Sequence, residues 1–205
     1  MSTEHRAIPY DTTIIPVTSF HLSPLLPTDF PALVRYLNDP DVCANLLLTL
    51  YPYTMTHAED FYKVERTLLW TDPLDENASP IRLNHVIRET RSGELVGEIS
   101  IKQYSKDFLD ESEKNRDIWT VGYWLAPEWW GKGVMTEVVK KVLEEVMIDR
   151  MGKREFRVGV FEGNWGSRKV LERSGFVFKK TKEAMYVKNG VSIDAWILEK
   201  VVNEN

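Results

Sequence analysis

Cysteine is nearly absent from this chain: Cys43 stands alone among 205 residues. One thiol excludes an internal disulfide and cannot form a cysteine-cluster zinc site. The four histidines, His5, His21, His57 and His85, are scattered, with no i, i+4 pair to chelate a metal. No apolar run approaches the ~18 residues that a membrane-spanning helix needs, and Met1 to Thr13 lack the hydrophobic core of a signal peptide. Internal repeats and low-complexity tracts are missing too. Neither charge sign dominates, with 26 Lys plus Arg against 31 Asp plus Glu and a net charge of −5. That balance gives no electrostatic case for nucleic acid. The absences together predict a protein with no metal, no membrane and no nucleic acid, placed in the cytoplasm with the nucleus not excluded. What is present is ordinary: 43% apolar and 28% charged residues, the composition of a globular domain. A chain of this length can bury about 70% of its unfolded surface without staples.

Residues 1–17 mix Pro9, Pro16 and polar residues without periodicity and read as an N-terminal arm ahead of one domain over 18–202. Phe20 to Pro24 suits a first strand. Phe30, Leu33, Val34 and Leu37 then form an i, i+3, i+4, i+7 stripe, which predicts a helix. Pro40 ends it, because a proline disfavours helical geometry in the residue before it. The run Val42 to Leu50 is apolar and fits either a helix or a strand, and is read here as helix. Thr56 and Glu59 have capping-box spacing and predict a further helix to about Trp70. After a loop at Asp72 to Pro80, Ile81–Arg88 and Glu94–Lys102 alternate as a hairpin around Arg91-Ser92-Gly93. In the second strand Val96, Glu98, Ser100 and Lys102 share one face. Gln103 to Arg116 is a charged loop, and Ile118 to Leu125 a strand. A long helix follows from Gly131 to about Asp149, with Val134, Val138, Val142 and Met147 on its apolar face. Phe156–Phe161, Trp165–Ser174 and a final hairpin turning at Asn189-Gly190 complete the order. Helices, a hairpin, strand–helix–strand–helix and a last hairpin predict an α/β (α+β) domain with a mixed sheet.

Two stretches carry chemistry. The first is Tyr123-Trp124-Leu125-Ala126-Pro127-Glu128-Trp129-Trp130-Gly131-Lys132-Gly133-Val134-Met135-Thr136. It takes a strand through a glycine turn into a long helix, where free amides and the positive end of the helix dipole make an anion site. Gly131 and Gly133 let backbone approach a phosphate, and Lys132 adds a mobile positive charge. Glycines that merely permit a tight turn account for the same residues about as well. A nucleotide P-loop is excluded, since Lys-Ser or Lys-Thr does not follow the second glycine. The dinucleotide fingerprint is excluded as well, since Thr136 stands where its third glycine belongs. The second stretch runs from Val158 through Glu162-Gly163-Asn164-Trp165-Gly166-Ser167 to Ser174-Gly175-Phe176. Asn164, between a strand and a helix, either caps that helix or touches a ligand. Ser167 falls in the helix's first turn, facing the glycine turn if the two strands are neighbours.

Taken together, these stretches resemble the GNAT N-acetyltransferase superfamily. The first is similar to its acetyl-CoA pyrophosphate motif, Gln/Arg-x-x-Gly-x-Gly/Ala, and the second to its Asn-x-x-Ser/Ala…Gly-Phe motif. Gly122-Tyr123-Trp124-Leu125 and Leu50-Tyr51-Pro52-Tyr53-Thr54 narrow the resemblance to the RimJ/RimL-like branch of ribosomal-protein N-terminal acetyltransferases. The resemblance implies a mostly antiparallel sheet splayed into an acyl-CoA cleft and flanked by helices. It implies pantetheine pairing with the backbone of Trp124, Leu125 and Ala126. The pyrophosphate would lie on Trp130, Gly131, Lys132, Gly133, Val134, Met135 and Thr136. Asn164 would touch the pantetheine arm, and Ser167 would lie near the thioester sulfur. Three departures stand out: Glu128 replaces the motif's Gln or Arg, Leu171 replaces a tyrosine that protonates the leaving thiolate, and Thr120 replaces a frequent glutamate. The thiolate role therefore passes to Ser167.

An amine must lose its charge before it attacks a thioester, so a nearby carboxylate helps. Glu98, on the polar face of its strand, is the candidate base, with a solvated glutamate or a Lys102 partner as the plainer reading. Asp194 could contact an amine, and Tyr51, Tyr53, Tyr104, Trp119 and Tyr123 could line an acceptor groove or fill the core. The acidic loop, with Asp107, Asp110, Glu111 and Glu113, could attract a cationic acceptor or simply face solvent. The expectation is an acetyl-CoA-dependent N-acetyltransferase acting on a protein N-terminus or a small-molecule amine, as monomer or homodimer. A non-catalytic acyl-CoA-binding or protein-interaction module on the same fold is the alternative.

Overall fold

The computed structural model describes residues 14–47 and 49–203. In chain order its elements are β1 (Ile15–Val17), β2 (Phe20–Ser23), α1 (Phe30–Leu37), α2 (Pro40–Ala44), α3 (Met55–Glu65), β3 (Leu69–Trp70) and β4 (Ile81–Arg82). There follow β5 (Asn84–Glu89), β6 (Leu95–Gln103), β7 (Ile118–Leu125), α4 (Val134–Lys141), β8 (Glu155–Phe161), α5 (Trp165–Arg173), β9 (Val177–Lys188) and β10 (Val191–Val201). Eight strands form one sheet in the order β1-β2-β5-β6-β7-β8-β10-β9. Every neighbouring pair is antiparallel except β7 and β8. This is the mixed α/β architecture that the element order predicts.

Helix α4 runs without a break into a π-helical stretch, Val142–Arg150. The reason lies in its apolar pattern. Val134/Met135, Val138/Val139, Val142/Leu143 and Val146/Met147 recur every fourth residue, and all are buried. An α-helix advances a four-residue repeat by about 40° beyond a full turn, which would rotate the stripe off the core. The wider π turn drifts the other way and keeps it there. Each of these side chains contributes roughly 1.5–3 kcal/mol by leaving water.

Four expectations need correction. The third helix begins two residues early: Thr54 is its cap, accepting from His57 N at 3.3 Å while Thr54 N donates to His57 Nδ1 at 3.2 Å. Thr56 and Glu59 are therefore helical residues. The helix also stops at Glu65, because Leu69 and Trp70 pair with β4 instead. Of the preceding run Val42 to Leu50, only Val42–Ala44 is helical among the described residues, as the end of α2, which starts at Pro40 and is capped by Asp39, whose side chain accepts from Asp41 N and Val42 N. Of the expected arm, residues 1–13 lie outside the described residues, while Ile15–Val17 is a strand paired with β2, its Ile15 and Val17 buried.

The loop between β6 and β7 is pinned rather than free. Arg157 of β8 grips Glu113 through Nη1 at 3.0 Å and Nη2 at 2.5 Å, and donates to Glu199 through Nε at 2.6 Å. Hydrogen bonds from Arg157 hold the Glu113 carboxyl down at about 2, against an ordinary glutamate near 4.5. Beneath the loop, Tyr104, Leu109, Ile118, Met185, Ala195 and Ile197 form a second apolar cluster.

Candidate functional site

Strands β7 and β8 are parallel neighbours only at their first residues, Ile118 opposite Glu155 and Trp119 opposite Phe156. Beyond these the strands part, although β7 continues to Leu125 and β8 to Phe161. Each keeps its outer edge paired, β7 with β6 and β8 with β10. The result is a wedge in mid-sheet whose facing edges have no strand between them. Polar backbone left this way calls for an extended ligand.

At the wide end lies the glycine turn. Gly131 and Gly133 have φ of 71° and 83°, left-handed values that L side chains rarely adopt, and a Cβ on either would meet nothing within 4 Å. Gly133 is the N-cap of α4. The first helical bond runs from Glu137 N to Gly133 O, and among the described residues no acceptor is found for the amides of residues 131–136. Six consecutive free N–H groups at a helix N-terminus form a ready anion cradle. Lys132 Nζ stands 4.9 Å from the Trp129 ring centroid, above the same turn. Val134 and Met135 turn their side chains into the core, so only their amides face the turn.

The three β7 residues expected to pair with pantetheine do not stand alike. Ala126 N donates to Val96 O at 2.7 Å and Ala126 O accepts from Trp129 N at 3.0 Å, so both its backbone groups are used. Edges alternate along a strand, so Trp124, like Ala126, turns its backbone towards β6. Leu125 alone faces the wedge, and its carbonyl accepts from the Trp130 indole Nε1 at 2.7 Å. Across the wedge, Asn164 caps α5 by accepting from Ser167 N at 3.1 Å. The capping reading of Asn164 is thus met in the structure, and the cap seats Ser167 in the first turn, where Tyr123 donates to its carbonyl at 3.2 Å. Leu171 is fully buried.

Glu98 lies on the opposite face of the sheet. It is paired with Val86 of β5 and Trp124 of β7, so all three project from the same face. Burial pushes its carboxyl up to about 7, the Glu65 charge adds to this, and the Trp124 and Asn84 side chains oppose it. Tyr53 belongs to the same group: burial, then the Glu98 charge, raises its phenol to about 12. Asn38 fixes Tyr53 by donating to its carbonyl at 2.7 Å and accepting from its amide at 2.8 Å.

Other candidates stand elsewhere. Trp119 is on the α4 face, with its indole on Asp117 at 2.7 Å. Tyr104 sits in the second cluster, Tyr51 is exposed, and Asp194 accepts from Ala184 N at 2.8 Å to hold a bulge in β9. Glu128 turns away to accept from Tyr36 at 2.8 Å. Sequence reasoning missed the fully buried Glu65–Arg82 ion pair (3.0 Å) and Asn84, because neither makes a local pattern.

Comparison with known proteins decides the family. The model of the Acetyltransferase (GNAT) domain matches residues 20–177, most of the chain. The chain belongs to the GNAT acetyltransferase family. Among curated proteins it is 34% identical over 107 residues to YdaF of Bacillus subtilis, named "Putative ribosomal N-acetyltransferase". That match covers 50% of this chain and 51% of YdaF, so the chain spans about half the length of this relative. Among solved structures, RimL, a ribosomal L7/L12 α-N-protein acetyltransferase in complex with coenzyme A, superposes with a TM-score of 0.70 at 17% identity, over 93% of this chain and 98% of RimL. The microcin C7 self-immunity acetyltransferase MccE, in complex with acetyl-CoA and AMP, gives 0.67 at 20% identity, over 90% and 93%. At such identities these two establish the fold.

Proposed function

We propose that this GNAT protein, as one domain that includes β1 and runs to about residue 202, is a cytoplasmic acetyl-CoA-dependent N-acetyltransferase of the RimJ/RimL-like branch. It transfers an acetyl group to the amine of a protein N-terminus or a small molecule by direct attack on the thioester. The observation that carries this reading is the wedge between β7 and β8 opening onto six free amides. An extended polar chain ending in a pyrophosphate suits both features: Leu125 offers a strand edge, and residues 131–136 offer donors with Lys132 beside them. The names of YdaF and RimL, and the coenzyme bound in RimL and MccE, support the same choice. Among the described residues no helix is long and apolar enough to cross a membrane, and no group of three or more candidate ligands could hold a metal.

The thioester supplies the activated acetyl group. Glu98, held near neutrality, accepts the proton of the acceptor ammonium, and Ser167 at the start of α5 hydrogen-bonds the departing thiolate. Orientation of amine and thioester in one cleft supplies much of the acceleration. The test is thiol release from acetyl-CoA in the presence of an amine panel: N-terminal peptides of ribosomal proteins, amino acids and polyamines. Amine-dependent thiol release supports the reading. Saturable acetyl-CoA binding without product from any amine would leave a binding module instead.

A further inference from the structure

The sheet face that carries Glu98 continues on the far side of the wedge. Ile118 of β7 lies opposite Glu155 of β8, so their side chains share a face. Alternation then puts Trp124 of β7, beside Glu98, and Gly159 and Phe161 of β8 on that same face. Bonding alternates as well. Glu162 N donates to Asp194 O of β10 at 2.8 Å, so Phe161 and Gly159 turn their backbone towards the wedge. Over Gly159 lies the side chain of Tyr186 from β9. A Cβ at position 159 would collide with the Tyr186 hydroxyl and meet Met185 Cε at 3.3 Å, so only glycine lets the phenol lie over the strand. The hydroxyl stands 3.5 Å from the Gly159 carbonyl, at the wedge's edge. Phe161 lies 5.6 Å from Tyr186 between ring centroids, and Phe108 of the β6–β7 loop stands edge-on to it, also at 5.6 Å. All three rings are half-buried.

The candidate acceptor cleft therefore has two walls: Glu98, Trp124 and Tyr53 on one side of the wedge, and three aromatic rings on the other. Charged groups near the rings are already engaged. Lys182 donates to Phe108 O at 3.3 Å, Arg157 is held by Glu113 and Glu199, and Asp194 accepts from Ala184 N. Burial pushes the Tyr186 phenol up, which keeps it neutral. The rings thus present carbon and one hydroxyl. A carboxylate next to the reacting amine would lose its hydration there without gaining a partner, whereas an apolar side chain gains by leaving water. A second ammonium would meet Lys182 Nζ, which already stands 5.7 Å from the Phe108 ring centroid.

We infer that Phe108, Phe161 and Tyr186 form a specificity wall, and that the acceptor is a peptide N-terminus whose first side chain is apolar. The inference rests on the acetyltransferase reading above and selects, among its acceptors, the protein N-terminus over polyamines and free amino acids. The first side chain lies on the rings while the amine beside it faces the wedge and Glu98.

The test measures kcat/KM by thiol release from acetyl-CoA for tripeptide amides that differ only in their first residue, methionine, aspartate or lysine, with spermidine and free methionine alongside. Wild type should prefer the methionine peptide over the other two by about 100-fold, the discrimination that one side chain's fit can supply. Tyr186→Ala should cut the preference to about tenfold or less, while Tyr186→Phe keeps it. Gly159→Ala should act like Tyr186→Ala, since its methyl displaces the Tyr186 hydroxyl without removing a ring. Phe108→Ala takes its place should that variant not fold. A flat preference in wild type, or one that survives in folded Tyr186→Ala, overturns the inference, as does faster turnover of spermidine or free methionine than of the methionine peptide. A second arm needs no turnover: the aromatic NMR signals of Phe108, Phe161 and Tyr186 in the full-length protein should shift with the methionine peptide and stay put with the aspartate peptide. Such shifts without product from any amine would leave the wall standing as a peptide site and overturn the acetyltransferase reading instead. Neither shifts nor turnover would overturn both.

Discussion

The two faces of the splayed sheet are built from different materials. On the α4 and α5 face, the candidate cofactor site is made of backbone: free amides at residues 131–136, the Leu125 carbonyl, and two helix starts set by Gly133 and Asn164. On the other face, the candidate acceptor site is made of side chains that meet from far apart in sequence: Tyr53, Glu65, Arg82, Asn84, Glu98 and Trp124. Backbone chemistry tolerates many side chains but demands particular φ values. Side-chain chemistry tolerates many local conformations but demands particular neighbours. One face is therefore rigid and general, and the other is tuned by burial to one carboxylate.

Four substitutions would break or sharpen this contrast. The largest effect belongs to the tuned face. Glu98→Gln should lower kcat/KM by about 100-fold and abolish the rise of activity with pH through about 7, while acetyl-CoA affinity measured by calorimetry stays unchanged. The same group has a sign in stability. Its carboxyl is raised above the unfolded value near 4.5, so the folded state holds an extra proton between about 4.5 and 7. Stability from this group is present below that window and is lost as pH rises through it, and urea melts of wild type against Glu98→Gln should show the difference.

Next comes the backbone face. Gly133→Val forces a β-branched residue to a φ of 83°, a strain of about 1–3 kcal/mol, and should weaken acetyl-CoA binding by roughly 30-fold with little change in the Glu98 pH profile. A third variant tests a region outside both faces. Glu113→Ala removes the partly buried partner of Arg157 and should cost about 2 kcal/mol in urea unfolding, with acetyl-CoA affinity intact. Its carboxyl is depressed to about 2, so its contribution is present above the ordinary glutamate range and is lost as pH falls towards 2. Ser167→Ala should have the smallest effect, about a 10-fold loss of kcat, the worth of one hydrogen bond to a charged group.

The same contrast explains what could be read from sequence. Gly131 and Gly133, Asn164 and the alternation of Glu94–Lys102 are local signals, because each reflects a backbone demand within a few residues. The register of β6 and the position of Glu98 follow from them. Asn84 and the Glu65–Arg82 pair carry no such signal, since only the pairing of β5 with β6 and the packing of α3 make them neighbours. The early start of α3 shows a tertiary contact overruling a local one. Asn38 fixes Tyr53 from both sides and leaves Thr54, rather than Thr56, at the helix entrance. In the acidic loop, Glu113 is taken up by Arg157 and Arg116, and Glu111 pairs with Lys114, contacts that only the folded chain shows.

The most direct test is an amide NMR titration of the full-length protein with acetyl-CoA. Large shifts at the amides of Gly131 to Thr136 and at Leu125, with the Trp130 indole moving as Leu125 gains a new partner, are the expected result. Saturation at millimolar acetyl-CoA with those amides unmoved would contradict the placement of the coenzyme in the wedge between β7 and β8.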